Sequence, residues 1–599
     1  MATNSFPPGL WALAPCHFQA LPDNHSLIIR ADNGAVSLQA GHWQPALRRL
    51  DAFRALQQHL DVLLAKNPAL RSMEQQVRDF LLRLHGDGLL ISGQGLADQL
   101  AQAPAAPCME LPPLRIAVIT CDRPHQLDRL LDSLAENESA HGNTWAYEIV
   151  DDSRHPDSAV QNQALIARHG ARLDLRYHGR AEREACLTRL AAVQPGGAEH
   201  LRWWLDSWDS AHVGQATYGS PKNYLMLRFA GERLLFIDDD TVMRAWIHPK
   251  ARKAFRFGEV GRDRTLAEDW ETLTGGLKPL RRDPIADHAA VLGRGLAEAR
   301  GLLRLSATAN DLFAQASWTH VAAIDPGRAR IRGTMSALVG DPGTVYDISL
   351  FIQDSSVRNL AADDAAYRRF LSRPRCVFNG ETGWTLTNQG YFMLSTMAGI
   401  DLSLHLPPLF PTGRGEDLMM GRWLKLLHPQ DMALIAPWGL EHRAEPPRSW
   451  RTLPEDLPME FTAATAWGIW AGASGLDGCA ADPATKLEAL RSHFLTQVTD
   501  VNGAQQLREQ LNAAARQIWA RHYTQLLQTH LNSAGLGTQW RSDILQALTR
   551  HQTLLQAPAA LPRALVETLV EQNRRYFAAL DTWHRAQEWV RGGGPDLHA

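Results

Sequence analysis

Apolar residues change their spacing three times along the 599-residue chain. Near the start, His25-Ser-Leu-Ile-Ile-Arg30 and Ala35-Val-Ser-Leu38 are short apolar runs on either side of Asp32-Asn-Gly34, the turn chemistry of a β-hairpin. Leu47, Leu50, Phe53, Leu56, Leu60, Leu63 and Leu64 then fall at steps of three and four, as do Val77, Phe80, Leu81 and Leu84. That spacing predicts two helices, parted at Asn67-Pro68 and closed by Gly86-Asp-Gly88 before the apolar Leu89-Leu-Ile91. From residue 114 the pattern becomes a buried strand (Leu114 to Thr120), a helix through Leu127, Leu130, Leu131 and Leu134, and a second strand (Tyr147 to Val150). Strand, helix, strand is the unit of a parallel α/β sheet, in which ligands sit at the carboxyl ends of the strands. Beyond residue 460 four long segments keep the 3.6-residue period and predict an all-α bundle.

Residues 101–113, rich in Ala and Pro and without periodicity, have the composition of a linker. The expected organisation is a small α+β unit over 1–105, an α/β domain with insertions over 112–460 and a helical domain over 461–599. With 45% hydrophobic and 21% charged residues the composition is that of an ordinary globular protein too long for one core. A net charge of -3 offers no basic field for a phosphate backbone, so nucleic acid is not an expected partner. The six cysteines lie far apart with no C-x-x-C pair and are expected to be free thiols. No basic-then-apolar leader opens the chain, and no apolar run approaches the roughly 18 residues of a membrane span. A soluble cytoplasmic protein is expected, with its C-terminal helices packed on the catalytic part or joining copies into a homo-oligomer.

The chemistry concentrates where Glu232-Arg-Leu-Leu-Phe-Ile ends in Asp238, Asp239 and Asp240. Side chains alternate along a strand, so Asp238 and Asp240 share one side and Asp239 takes the other. Two carboxylates on one side of a strand mouth suit a divalent cation, although an isolated triplet also fits a solvated acidic turn. The loops at 120–124, 151–154 and 238–241 all leave strands of the same kind. Downstream, Glu416 and Asp417 open a helix through Met419, Trp423, Leu424 and Leu427, where the helix dipole favours an ionised carboxylate. His442 follows an apolar strand, and its imidazole could join carboxylates on a metal. Taken singly, Asp152 also fits a helix cap, Lys222 an exposed lysine, Asp417 an ordinary first-turn acid and His442 a packed histidine. Trp203, Trp204 and Trp208 fit a core better than a sugar platform, and Phe378-Asn-Gly-Glu-Thr-Gly-Trp384 has the composition of a cleft lining or an ordinary loop.

The stretches "IAVITCDRPHQLDRLLDSL", "YEIVDDS" and "SPKNYLMLRFAGERLLFIDDD" resemble the nucleotide-sugar-binding half of the family 2 glycosyltransferases. That resemblance implies a GT-A fold: a mixed, mostly parallel sheet flanked by helices. It also implies that Thr120, Arg123 and Asp152 hold the nucleobase and that Lys222 and Asn223 face the diphosphate. Asp238 and Asp239 would meet the donor, and Asp238 and Asp240 the metal. The order of acidic pair, helix, strand and histidine at 390–445 is similar to the family's acceptor half. There Asp417 would be the general base of an inverting reaction, Glu416 would position the acceptor and His442 would complete the metal site. The implied cofactors are Mn²⁺ or Mg²⁺ and a UDP- or GDP-sugar. Residues 168–220 depart from the family pattern. The segment "VRDFLLRLHGDGLLIS" resembles the close of small winged-helix domains that bind leader peptides. Hexosyl transfer to a peptide or protein side chain is therefore the leading expectation. A saccharide or lipid-linked acceptor is the alternative, and a non-catalytic nucleotide-sugar-binding scaffold is the reading from another class.

Overall fold

The computed structural model describes residues 5–31, 33–102, 110–212, 214–258, 264–318, 321, 324, 327–343, 355–388, 396–450, 461–476, 482–557 and 559–593. Asp32 of the predicted hairpin turn and most of the predicted linker lie outside them. The hairpin forms between His25–Arg30 and Val36–Ala40, and Cys16–Leu21 adds a third antiparallel strand. Helices Leu56–Lys66 and Glu74–Gly86 bury Leu60, Leu63, Val77, Phe80, Leu81 and Leu84 against Ile28 and Trp43. The helix predicted through Leu47 to Leu64 is interrupted: only Gln44–Leu47 and Leu56–Lys66 are helical. Residues 51–53 pair with another segment instead. The Phe53 amide donates to Ala316 O (2.8 Å), the Trp318 amide donates to Asp51 O (2.7 Å), and the Phe53 ring meets Phe313 at 5.1 Å. The spacing of Phe53 therefore serves a contact to a distant part of the chain.

The central sheet is built from β1 (Leu114–Thr120), β2 (Ala146–Asp151), β3 (Asp174–His178), β4 (Arg233–Asp238), β5 (Thr241–Ile247), β6 (Ile331–Gly340), β7 (Met397–Asp401) and β8 (Met432–His442), with shorter strands at its margin. It is mixed. The path β3-β2-β1-β4 is parallel, β7 runs antiparallel between β4 and β6, and β6 is parallel to β8. Strand alternation sends Ile116, Val118, Leu235 and Ile237 to one face and Ala117, Leu234 and Phe236 to the other. The first face is covered by helix α1 (Pro124–His141) through Leu127, Leu130, Leu131 and Leu134. The second is covered by α2 (Gly219–Arg228) and α3 (Glu416–Leu427).

The C-terminal helices fill out this second face. Trp467, Trp519, Tyr576, Phe577 and Trp583 belong to the same buried cluster as Ala117, Phe236, Ile400 and Trp423. The last long helix, α4 (Arg563–Arg591), lies on the segment that follows β7. Its Tyr576 hydroxyl donates to Pro408 O (2.6 Å), its Trp583 indole N–H to Leu406 O (2.9 Å) and its Arg591 guanidinium to Leu402 O (2.6 Å). Among the described residues no helix is long and apolar enough to cross a membrane.

Candidate active site

The carboxyl end of β4 gathers the acidic triplet. β5 leaves it directly and pairs antiparallel with β8 in a register that sets Thr241 opposite His442. The long, wholly buried β8 thus delivers His442 beside Asp240 across about 200 residues of sequence. One ligand atom from each of Asp238, Asp240 and His442 lies within 4.8 Å of the others. His442 Nε2 is 3.0 Å from Asp240 Oδ1, and His442 Nδ1 is buried with no partner among the described residues. Burial alone would raise the Asp240 carboxyl, but the hydrogen bond and charge of His442, with Arg123, hold it below the usual carboxylate range. Burial would likewise lower His442, and the bond to Asp240 raises it.

β4 ends at Asp238, so Asp239 and Asp240 stand in the turn after it and the expected strand alternation does not reach them; Asp239 is not one of the three clustered ligand residues. It accepts from Thr120 Oγ1 (2.9 Å) and from Arg123 Nη1 (3.2 Å), and burial lifts its carboxyl to about 7 in spite of Arg123. Arg123 also reaches Asp240 Oδ2 (3.5 Å) and keeps a half-exposed guanidinium. Its loop is tied to the neighbouring strand end: the Asp122 amide donates to Ser153 Oγ (3.0 Å), and the Asp122 carboxylate accepts from the amides of Arg154 and His155.

A second charged group spans the two halves. Lys222, on the first turns of α2, donates to Glu416 Oε1 (3.0 Å) and to Asp417 Oδ1 at the start of α3. The lysine side chain is 6% exposed and the Asp417 side chain 19%. Burial opposes the lysine charge, but the two carboxylates raise its pKa. Burial, reinforced by Glu416 and resisted by Lys222, raises Asp417. Gly219 makes this approach possible. Both Gly219 and Ser220 amides donate to Pro411 O, and a Cβ on Gly219 would stand 1.8 Å from Phe410 O.

Asp152, Asn223 and Lys222 also have internal partners. Asp152 is buried, with Oδ1 accepting from Arg183 Nη1 (2.6 Å) and Oδ2 from Thr217 Oγ1 (2.7 Å). Asn223 is wholly buried, donating to Trp204 O and Leu409 O and accepting from the Leu409 amide, so it does not join the acidic cluster. Lys222 is held on the acidic pair of α3. The structure adds Arg183, which sequence reasoning missed: 1% exposed, it also donates to Leu205 O and Ser207 Oγ and lies against Trp208 and Tyr224. An arginine on an otherwise ordinary amphipathic helix carries no sequence signal of that kind. Trp203 and Trp204 are core, the latter 5.7 Å from the Trp583 ring, whereas Trp208 is only half-buried, with Arg154, Arg180 and Arg183 over its ring. In the segment expected to suit a cleft, Glu381 is wholly buried beside Arg256 (3.3 Å) and Trp384 is buried too.

His442 also lines a cavity of about 370 Å³, together with Arg129, Trp270, Asp341, Arg375, Arg443 and Arg448. Its arginines are largely matched, Arg129 to Glu445, Arg443 to Glu441 and Arg448 to Asp341.

Neither a protein-family model nor a curated protein matches the chain. Two solved structures of S. aureus TarS align with it at 12% identity over 80% of this chain. They cover 91% of a chain of residues 1–349 at a TM-score of 0.26 and 55% of a longer one at 0.23. TM-scores this low establish no shared fold and carry no argument about the site.

Proposed function

We propose that this chain is a metal-dependent, inverting glycosyltransferase that moves a hexosyl group from a UDP- or GDP-sugar to a peptide or protein side chain. The observation that carries the reading is the convergence of Asp238, Asp240 and His442 at the carboxyl end of β4 in the mixed sheet. Two carboxylates and an imidazole fit Mn²⁺ or Mg²⁺, with hard oxygens predominating and one nitrogen donor. A cation held there supplies stabilisation of the charge that develops on the departing diphosphate.

The remaining residues divide the work. Thr120 and Arg123 hold Asp239, and Arg123 also reaches Asp240, which braces the turn that carries the metal-facing carboxylates. The half-exposed Arg123 guanidinium meets the donor. Asp152 shapes the base end of the cleft through Arg183 and Thr217, the two groups that take up its carboxylate. Asp417 accepts the proton of the attacking acceptor, and its raised pKa brings the base close to neutral pH, where proton transfer is most efficient. Lys222 and Glu416 fix its direction, with Lys222 linking the donor half to the acceptor half. A peptide acceptor is supported by the N-terminal sheet, whose marginal strand Val36–Ala40 leaves Val36 and Leu38 each 53% exposed. A peptide can add to such an edge as a further strand.

The test is incubation with Mn²⁺ or Mg²⁺ and a panel of UDP- and GDP-sugars, followed by measurement of free nucleotide. Slow metal-dependent release is expected even without acceptor. No release from any donor, together with no metal-dependent nucleotide binding, refutes the reading. Transfer to saccharides or lipid-linked sugars and never to a peptide would reassign the acceptor alone.

A further inference from the structure

Outside the acidic cluster, α4 carries His584 and Glu588 one turn apart, and His405 faces them from the segment after β7. His584 Nε2 is 3.2 Å from Glu588 Oε1, the His405 and His584 rings are 4.8 Å apart between centroids, and one ligand atom from each of the three lies within 4.8 Å of the others. The proposed reaction uses none of these residues. We propose that His405, His584 and Glu588 form a second metal site, for a zinc-type divalent cation, that fastens α4 to the segment leading into the acidic pair of α3.

Donor chemistry separates this site from the first. Two imidazoles and one carboxylate suit Zn²⁺ or Ni²⁺ rather than Mg²⁺, and three protein ligands leave a fourth position for water. The i,i+4 spacing puts His584 and Glu588 on one face of the helix. His405 is prepared for ligation from behind. Its Nδ1 faces Gln587 Oε1 at 3.3 Å, and Gln587 is 1% exposed. An N–H donated to that amide oxygen leaves the Nε2 lone pair for a metal, the arrangement in which ligating histidines are commonly oriented.

Geometry and charge are compatible with binding. Tetrahedral ligands at about 2.0–2.1 Å from zinc stand about 3.3 Å from one another. The His584–Glu588 separation already fits, and the wider ones can close by rotation of His584 (43% exposed) and Glu588 (57% exposed). Arg591 is the positive charge acting on His405. It is tied to Leu402 O at 2.6 Å, and Glu588 offsets it. The site lies amid the attachments of Tyr576, Trp583 and Arg591 to residues 402–408, so a bound ion would add a coordinate link to the same seam. By contrast, the group of Asp128, Asp132 and the buried His169 is already matched by Arg168 and Arg172.

The experiment uses the full chain freed of metal by a chelator and titrated with Zn²⁺ by calorimetry and with Co²⁺ by visible absorption. Expected are one tight equivalent, a rise in the apparent thermal midpoint, and at least tenfold weaker Zn²⁺ binding in His584→Ala and Glu588→Gln. Both substitutions fall on partly exposed positions where misfolding is not a concern. Gln587→Leu should weaken binding by about 10-fold or more through loss of the orienting bond. Asp240→Asn should leave this equivalent in place, which separates failure here from failure of the catalytic reading. Wild-type Zn²⁺ affinity in a His405→Ala/His584→Ala double variant overturns the proposal, as does loss of the tight equivalent in Asp240→Asn alone.

Discussion

Replacing Lys222 by Met would leave Glu416 and Asp417 side by side without the cation they share. The side chains of the trio are only 6%, 10% and 19% exposed, so water screens the remaining charges poorly. Removing one partner of such a buried pair costs about 3–5 kcal/mol, because the other charge stays buried and unmatched. At roughly 2–4 °C per kcal/mol, the scaling for domains of moderate size, the apparent melting midpoint should drop by on the order of 10 °C. The drop has a pH signature. Lys222 lowers the Asp417 pKa, so its removal lifts that carboxyl further above the unfolded value. A raised carboxyl makes the folded state bind more protons than the unfolded state, and stability then falls as pH rises from the unfolded pKa towards the folded one. The deficit of Lys222→Met should therefore be larger at pH 8 than at pH 5. Scanning calorimetry of both proteins at the two pH values measures it. Adding Glu416→Gln to Lys222→Met should recover part of the loss, since one of the facing charges is gone. A midpoint unchanged at both pH values, or a deficit that shrinks with rising pH, would show that the trio is not an electrostatic unit.

Asp417→Asn should leave nucleotide binding near wild type while turnover falls by about 10²–10⁴, the usual contribution of a general base; loss of both would place the base elsewhere. In the wild type, kcat should rise with pH up to about 7 and level off above it, since the Asp417 carboxyl is lifted to about 7 and acts as the anion; a profile flat from pH 5 to 8 refutes this role. Asp240→Asn should abolish metal-dependent nucleotide binding in a fluorescence or calorimetric titration and leave the fold intact by circular dichroism. Gly219→Ala forces the backbone at Phe410 aside and should cost about 1–3 kcal/mol or more, seen as a lowered midpoint and slower turnover.

The parallel half of the sheet was legible because its signals are local. The run Leu114 to Thr120 is mostly apolar, whereas the alternation expected along the Asp triplet does not apply, because β4 ends at Asp238 and Asp239 and Asp240 stand in the turn after it. The other half was hidden. β6 has the sequence IRGTMSALVG, whose glycines and hydroxyls resemble a loop, yet all but one of its residues are buried. Its neighbours explain the composition: a Cβ on Gly399 would stand 2.4 Å from Thr334 Oγ1, so small residues allow the strands to close up. Phe53 misled for the opposite reason. It kept a helical spacing while answering to Phe313, far along the chain. The partners of Asp152 and Lys222 were invisible too, because a charged side chain carries in sequence no mark of the opposite charge that folding brings to it.

The hold of α4 on residues 402–408 bears on how this chain can be taken apart. Three side chains of the last long helix are bonded to the carbonyls of Leu402, Leu406 and Pro408 on the stretch that leads to Glu416, and Trp583 packs on Trp204 in the core against the sheet. Cutting the chain near residue 460 to isolate a minimal enzyme would open a tryptophan-lined wound and release the segment that aims Asp417. Engineering of this protein should therefore treat the C-terminal helices as a keystone and seek its removable parts elsewhere.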